Sequence, residues 1–354
     1  MNSTRRSRKV LFLYSELASY VMACLSELAS RPGIEIHVVH FPVNPEAPFQ
    51  LSFPQHINFY DRSEFSSQGL GTFVRELNPA LIYCSGWIDK EYLKVVRTLD
   101  LSIPVVLALD TPWQGTWRQR MAALLGSSIR NGFTHAWVAG DKQREYAIRL
   151  GFTSIQILKG VYSCDLAFFN KINQETSLLK STLLPRRFLY VGRYVESKGV
   201  QTLWDAFALL QQEHPNAWEL WCAGTGPLKE RFPKHPQIKD MGFVQPENMP
   251  SLLANSSVFV LPSFFEPWGV VVHEFAAAGF PMVCSDAVGA TEKYLISGVN
   301  GFSFRSGDVV ALKNTLHTIT QMPTKELLAM AHKSVEFANR YGPTEWADQL
   351  TNLL

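Results

Sequence analysis

The chain has 354 residues, about twice an ordinary domain, so two domains of roughly 150 to 180 residues are expected. Its 46% hydrophobic, 12% aromatic and 18% charged residues are those of an ordinary globular protein and exclude a disordered or fibrous chain. With 33 basic and 31 acidic residues the net charge is +2, too balanced to argue for a nucleic-acid partner, so a charged ligand must be met by a local cluster.

Arg5, Arg6, Arg8 and Lys9 precede the strand-like VLFLYS (10–15), and this basic start reads as a solvated tail or as a contact for acidic lipid. No apolar run reaches the ~18 residues of a membrane span, and none has the form of a signal peptide, so a cytoplasmic protein is expected. Further strand-like runs follow at IEIHVVHF (34–41), ALIYCSG (80–86), IPVVLALD (103–110) and THAWVAG (134–140). Helical patterns lie between them, as in KEYLKVVRTL (90–99) and KQREYAIRLG (142–151), the latter stopped by Gly151. The segment 113–130 combines Trp113, Trp117, Arg118, Arg120 and Arg130 with an apolar helical run. It reads as a core-packed helix with a basic outer face, or as a peripheral membrane contact that meets a lipid-linked acceptor.

Patterning weakens over 160–185, and a linker is expected at 166–185 between a first domain, 1–165, and a second, 186–335. Strand-like runs in the second half are RFLYVG (187–192), WELWCAG (218–224), IKDMGFV (238–244), SVFVLPS (257–263) and PMVCSD (281–286). A last helix, 336–354, interrupted at Gly342 and Pro343, is expected to cross back to the first domain. Strands alternating with helices indicate parallel α/β domains, whose ligands gather at the carboxyl ends of the strands. The cysteines at 24, 84, 164, 222 and 284 form no C-x-x-C pair. Cys84, Cys222 and Cys284 read as small core residues in a reducing compartment. His135 and His273 have no partner at metal-ligand spacing and read as structural.

The strand-to-loop junctions of the second half carry the chemistry. VGRYVESKGV (191–200) offers Gly192 for close backbone approach and Arg193 and Lys198 as cations for a phosphate. CAGTGPL (222–228), with Gly224 and Gly226, is not a dinucleotide fingerprint, because Lys229 occupies the third glycine position. In FFEPWGVVVHEF, Pro267 suits a first helical turn, and amides near Gly269, Val270 and Val271 can receive an anion. Glu266 then lies at the helix mouth, and Glu274, five residues past Gly269, stands roughly 7.5 Å further along. A diphosphate at the mouth with polyols on either side, a nucleotide sugar, fits that distribution of groups. Asp286, at a strand end, orients the sugar or caps a turn.

In this order and at these intervals, GRYVESKG, AGTGPL, GFV (242–244) and LPSFFEPWGVVVHEFAAAGFPMVCSD resemble the donor-binding half of retaining glycosyltransferases of family four. The resemblance covers about 190–310. It implies a GT-B fold, two Rossmann-like domains facing each other across a cleft, the first binding an acceptor and the second a nucleoside diphosphate sugar. It further implies that Arg193 and Lys198 bind the diphosphate, Glu266 the transferred sugar and Glu274 the ribose. Gly269 and Val270 supply backbone amides, and Val244 meets the base through its backbone. No cofactor and no metal are implied, and the chain has no D-x-D triplet. The implied reaction moves a sugar to a sugar, lipid-linked or small-molecule acceptor in surface polysaccharide, lipid-linked glycan or glycoconjugate synthesis. A catalytically silent nucleotide-sugar-binding partner and a GT-B epimerase are the alternatives.

The first half departs from the family. YSELASY replaces the usual glycine pair after the first strand, and Asp110 and Thr111 stand where relatives place a histidine. Asp110 substitutes as a hydrogen-bond acceptor or caps the next turn. In the second half, Gly289 and Ala290 stand where relatives frequently have a glycine pair.

Overall fold

The computed structural model describes residues 7–42, 53–87, 89–98 and 102–354. Arg5 and Arg6 of the basic start lie outside them. The chain divides into two compact units, one comprising Met1–Asp165 with Tyr341–Leu354, the other Leu166–Arg340.

The first unit is built on a seven-stranded parallel sheet in the order β3-β2-β1-β4-β5-β6-β7. Its strands are β1 Arg8–Tyr14, β2 Ile34–His40, β3 Asn58–Asp61, β4 Leu81–Cys84, β5 Val105–Leu109, β6 His135–Val138 and β7 Ile157–Lys159. Central strands such as β4 and β5 are buried throughout, as near-continuous apolar runs must be when helices cover both faces. Edge strands β3 and β7 escape the pattern reading because NFYD and ILK are short and partly exposed.

The second unit repeats the plan with six parallel strands in the order β10-β9-β8-β11-β12-β13. They are β8 Arg187–Val191, β9 Glu219–Ala223, β10 Ile238–Gly242, β11 Val258–Leu261, β12 Met282–Ser285 and β13 Gly301–Phe304. β13, GFSF, is buried only at its first and last residues and, at four residues, carries little signal in sequence.

Residues 166–185, expected as a linker, carry the helix Leu166–Thr182, which clusters with the second unit. The single helical run expected over 113–130 is two short helices, Trp117–Leu124 and Gly126–Arg130. The chain rejoins the first unit at Tyr341, after the helix Thr324–Ala338 and before Pro343–Thr351. There Trp346 is 1% exposed, stacks on Trp137 at 5.1 Å and donates to the Val161 carbonyl at 2.9 Å. All five cysteines are free and buried.

Candidate functional site

The strand order of the second unit reverses between β8 and β11, which opens a crevice at their carboxyl ends. Two loops emerge there, Gly192–Gly199 and Pro262–Gly269. They are stitched together through the Ser197 carbonyl, which accepts from the Phe264 amide at 2.8 Å and the Phe265 amide at 3.1 Å. Gly199 has φ 63°, and a Cβ there would run into the Pro262 carbonyl oxygen, so only glycine allows this approach.

The stitching brings Lys198 onto Glu266. The ammonium is ion-paired to Glu266 Oε2, with the two side chains 20% and 9% exposed, and Ser263 Oγ donates to the same oxygen at 3.4 Å. A carboxylate this buried requires such partners. Its backbone is fixed as well: Glu266 bridges Val288 in parallel, and its carbonyl accepts from the Gly289 amide at 3.0 Å. Beneath it the Ser263 carbonyl accepts from Ser285 Oγ at 2.5 Å and Ser306 Oγ at 3.2 Å. Asp286 Oδ1 accepts from the Ser306 amide at 2.9 Å, a turn-forming role.

Gly269, at φ 90°, precedes the helix Val270–Ala277, and a Cβ on it would stand 2.8 Å from Glu266 Cγ. The first amides of that helix lack intrahelical acceptors and carry its positive end. Glu274 is half-buried on the same helix. Its neighbour His273 is buried, contacts the Ala338 carbonyl at 3.0 Å and stacks on Tyr294 at 4.1 Å. Burial pushes its pKa down to about 3, so the imidazole is neutral and structural. Arg193 is exposed, and its carbonyl accepts from Tyr190 OH at 2.7 Å. The Gly192 amide donates to the Ala223 carbonyl at 3.0 Å, and the Gly224 amide to the Gly242 carbonyl at 2.7 Å. Val244 is half-buried two residues past β10.

Asp110 belongs to the first unit, at the end of β5. Its Oδ2 accepts from Tyr162 OH at 3.1 Å, Oδ1 from Thr111 Oγ1 at 3.3 Å, and its carbonyl from Gln143 Nε2 at 2.8 Å. Burial and the Asp110 charge push the Tyr162 hydroxyl well above its ordinary range, so it stays a donor. His135 contacts Thr134 Oγ1 at 2.8 Å, and burial lowers its pKa. Among the described residues no group of three or more His, Cys, Asp or Glu could hold a metal ion.

The sequence motifs contain Lys198 and Glu266 but show neither their pairing nor the supporting roles of Ser263, Ser285, Ser306 and Gly199. The available signal was that each of these serines ends or follows a strand, in VLPS, MVCS and FSFRS.

Two doubly wound parallel units with such a crevice define the GT-B architecture. The family model for glycosyl transferases group 1 matches residues 185–322. TuaC of Bacillus subtilis, a glycosyltransferase assigned to teichuronic acid biosynthesis, is 33% identical over 282 residues, covering 75% of this chain and 67% of that protein. Glycogen synthase of Mycobacterium tuberculosis is 34% identical over 146 residues, which are 39% of this chain; the match spans only 35% of that enzyme's length. Among solved structures, Anabaena HepE in complex with UDP and glucose superposes with a TM-score of 0.73 at 19% identity, and each chain is 98% covered. Sucrose-phosphate synthase of Thermosynechococcus elongatus gives 0.75 at 18% identity, again with 98% of each chain covered. The chain belongs to the group 1 glycosyltransferases.

Proposed function

We propose that the protein transfers a sugar from a nucleoside diphosphate sugar to an acceptor hydroxyl, with retention of configuration and without a metal. The observation that carries this reading is the Lys198–Glu266 pair beside the open amino end of Val270–Ala277, at the reversal point of the second sheet. A cation and a helix amino terminus together receive a diphosphate, and the carboxylate between them accepts sugar hydroxyls. Arg193 and Lys198 stabilise the charge that develops on the leaving phosphate, aided by the Gly269 and Val270 amides. Glu266 holds the transferred sugar, Glu274 the ribose, and the backbone at Val244 the base. Gly192 and Gly224 keep their turns free of side chains where the donor approaches. Asp110, on the acceptor unit, accepts a hydrogen bond from a substrate hydroxyl.

The diphosphate is a good leaving group once neutralised, so no protein nucleophile is invoked; a phosphate oxygen takes the acceptor's proton. The acceptor is a sugar, a lipid-linked glycan or a small molecule, in surface polysaccharide or glycoconjugate synthesis. Five buried free thiols support a reducing, cytoplasmic setting. UDP, present with HepE, is the first nucleotide to try.

The test is a thermal-shift panel of nucleoside diphosphates and their sugars, followed by diphosphate release and anomeric analysis of the product. One nucleotide raises the melting temperature by mass action. Lys198→Ala and Arg193→Ala each lower turnover by at least about tenfold with the fold retained. Binding without turnover on any acceptor extract marks a silent nucleotide-sugar binder. An inverted product overturns the retaining mechanism.

A further inference from the structure

From Thr111 to Gly140 the chain has no Asp or Glu. Between Thr111 and Gly160 seven Lys or Arg stand against two Asp or Glu, a net of +5 in a chain whose total is +2. Positive charge is therefore concentrated in this part of the first unit.

Within it, the helix Trp117–Leu124 is turned the wrong way for packing. Its one buried side chain is Gln119, which donates to the Pro112 carbonyl at 2.8 Å and accepts from the Gln114 amide at 2.8 Å. Its large apolar side chains are outside: Trp117 is 71% exposed, Met121 47%, Leu124 78%, and Leu125, just past the end, 57%. Steps of four and three residues align Trp117, Met121 and Leu124 on one stripe. Arg118 and Arg120 flank it, both exposed, with the Arg118 guanidinium 5.5 Å from the Trp117 ring centre.

The stripe is held in place. Thr116 Oγ1 caps the Gln119 amide at 3.3 Å, Arg97 donates to the Ser128 carbonyl at 2.9 Å, and Arg130 to the Gly151 carbonyl at 2.8 Å. A fixed apolar stripe in water marks an interaction surface. Its cations flank the apolar residues and no acidic residue interrupts them, which complements a surface that is negative at its headgroups and apolar beneath.

We propose that this stripe docks the protein on an anionic lipid bilayer. Trp117, Leu124 and Leu125 enter the boundary between headgroups and acyl chains, and Arg118 and Arg120 meet lipid phosphates. The docking does not depend on the transferase reading; its use, to reach a lipid-linked acceptor, does.

The full chain is floated with vesicles of phosphatidylcholine alone and of phosphatidylcholine with about 30% phosphatidylglycerol, at low and high salt. Association with the anionic vesicles is expected, weakened by salt. It falls by at least about tenfold in Trp117→Ser/Leu124→Ser and by about fivefold in each of Arg118→Gln and Arg120→Gln. Melting temperature and nucleoside diphosphate release in these variants match the parent. The proposal is overturned if the parent does not float, or if the double variant floats equally well. It is also overturned if the serine changes abolish self-association in sedimentation velocity while vesicle binding is absent, since the stripe is then a protein interface. Diphosphate release is read separately, so failure to dock and failure of the transferase reading are distinguishable.

Discussion

Lys198 and Glu266 are 68 positions apart in sequence, and the half-buried ammonium offsets the desolvation of the buried carboxylate. Removing one partner leaves a poorly hydrated charge, so Lys198→Met is expected to lower stability by about 2 kcal/mol, part of which Lys198→Met/Glu266→Gln recovers. Urea unfolding of the two variants checks this; equal stabilities would mean that the unpaired carboxylate costs nothing. Glu266→Gln should lower sugar transfer by at least about tenfold and affect nucleoside diphosphate binding much less, because the carboxylate touches the sugar directly and the diphosphate only through its Lys198 partner. Isothermal titration against turnover separates the two. The identities of both residues were readable from the motifs. Their contact was not, because it depends on the Ser197 carbonyl receiving two amides from the other loop.

At the scale of elements, the helix that lies where a linker is expected carries apolar residues outward. On Leu166–Thr182, Leu178 and Leu179 are 75% and 66% exposed, while Lys180 is buried. Among the described residues the Lys180 ammonium has no hydrogen-bond partner, and it lies 3.8 Å from the Phe280 ring centre. Burial lowers its pKa from 10.5 to about 7. The unfolded chain therefore holds a proton that the folded one releases between about pH 7 and 10.5, so stability rises with pH across that window. Lys180→Met should raise stability at pH 7 by on the order of 3 kcal/mol and flatten the rise. Denaturant titrations at pH 7 and 10 decide it; parallel pH profiles for parent and variant would contradict the assignment. A sequence with its lysine inside and leucines outside reads as irregular, which is why this helix looked like a linker.

At the scale of the molecule, the last fourteen residues, Tyr341–Leu354, complete a unit whose main part ends at Asp165. Trp346 stacks between Trp137 and Phe12, at 5.1 and 6.1 Å, and Tyr341 OH donates to the Gly160 carbonyl at 2.5 Å. Trp346→Ala should cost about 3 to 5 kcal/mol in the first unit. Calorimetry should then show a lowered transition for that unit, with the nucleotide-induced shift of the second retained. A single transition lowered as a whole would mean that the two units unfold together.

The alternation of strand and helix, the two-unit plan and the donor-side motifs follow from local chain properties: apolar period, turn residues and backbone approach at glycine. These act over a few residues and leave their mark in any window of sequence. Which cation meets which carboxylate, which serines brace Glu266, and which helix faces point to water were decided only when parallel strands distant in the chain came into register. Apart from the neighbouring Ser263, those contacts join residues separated by tens of positions, and no local pattern encodes them.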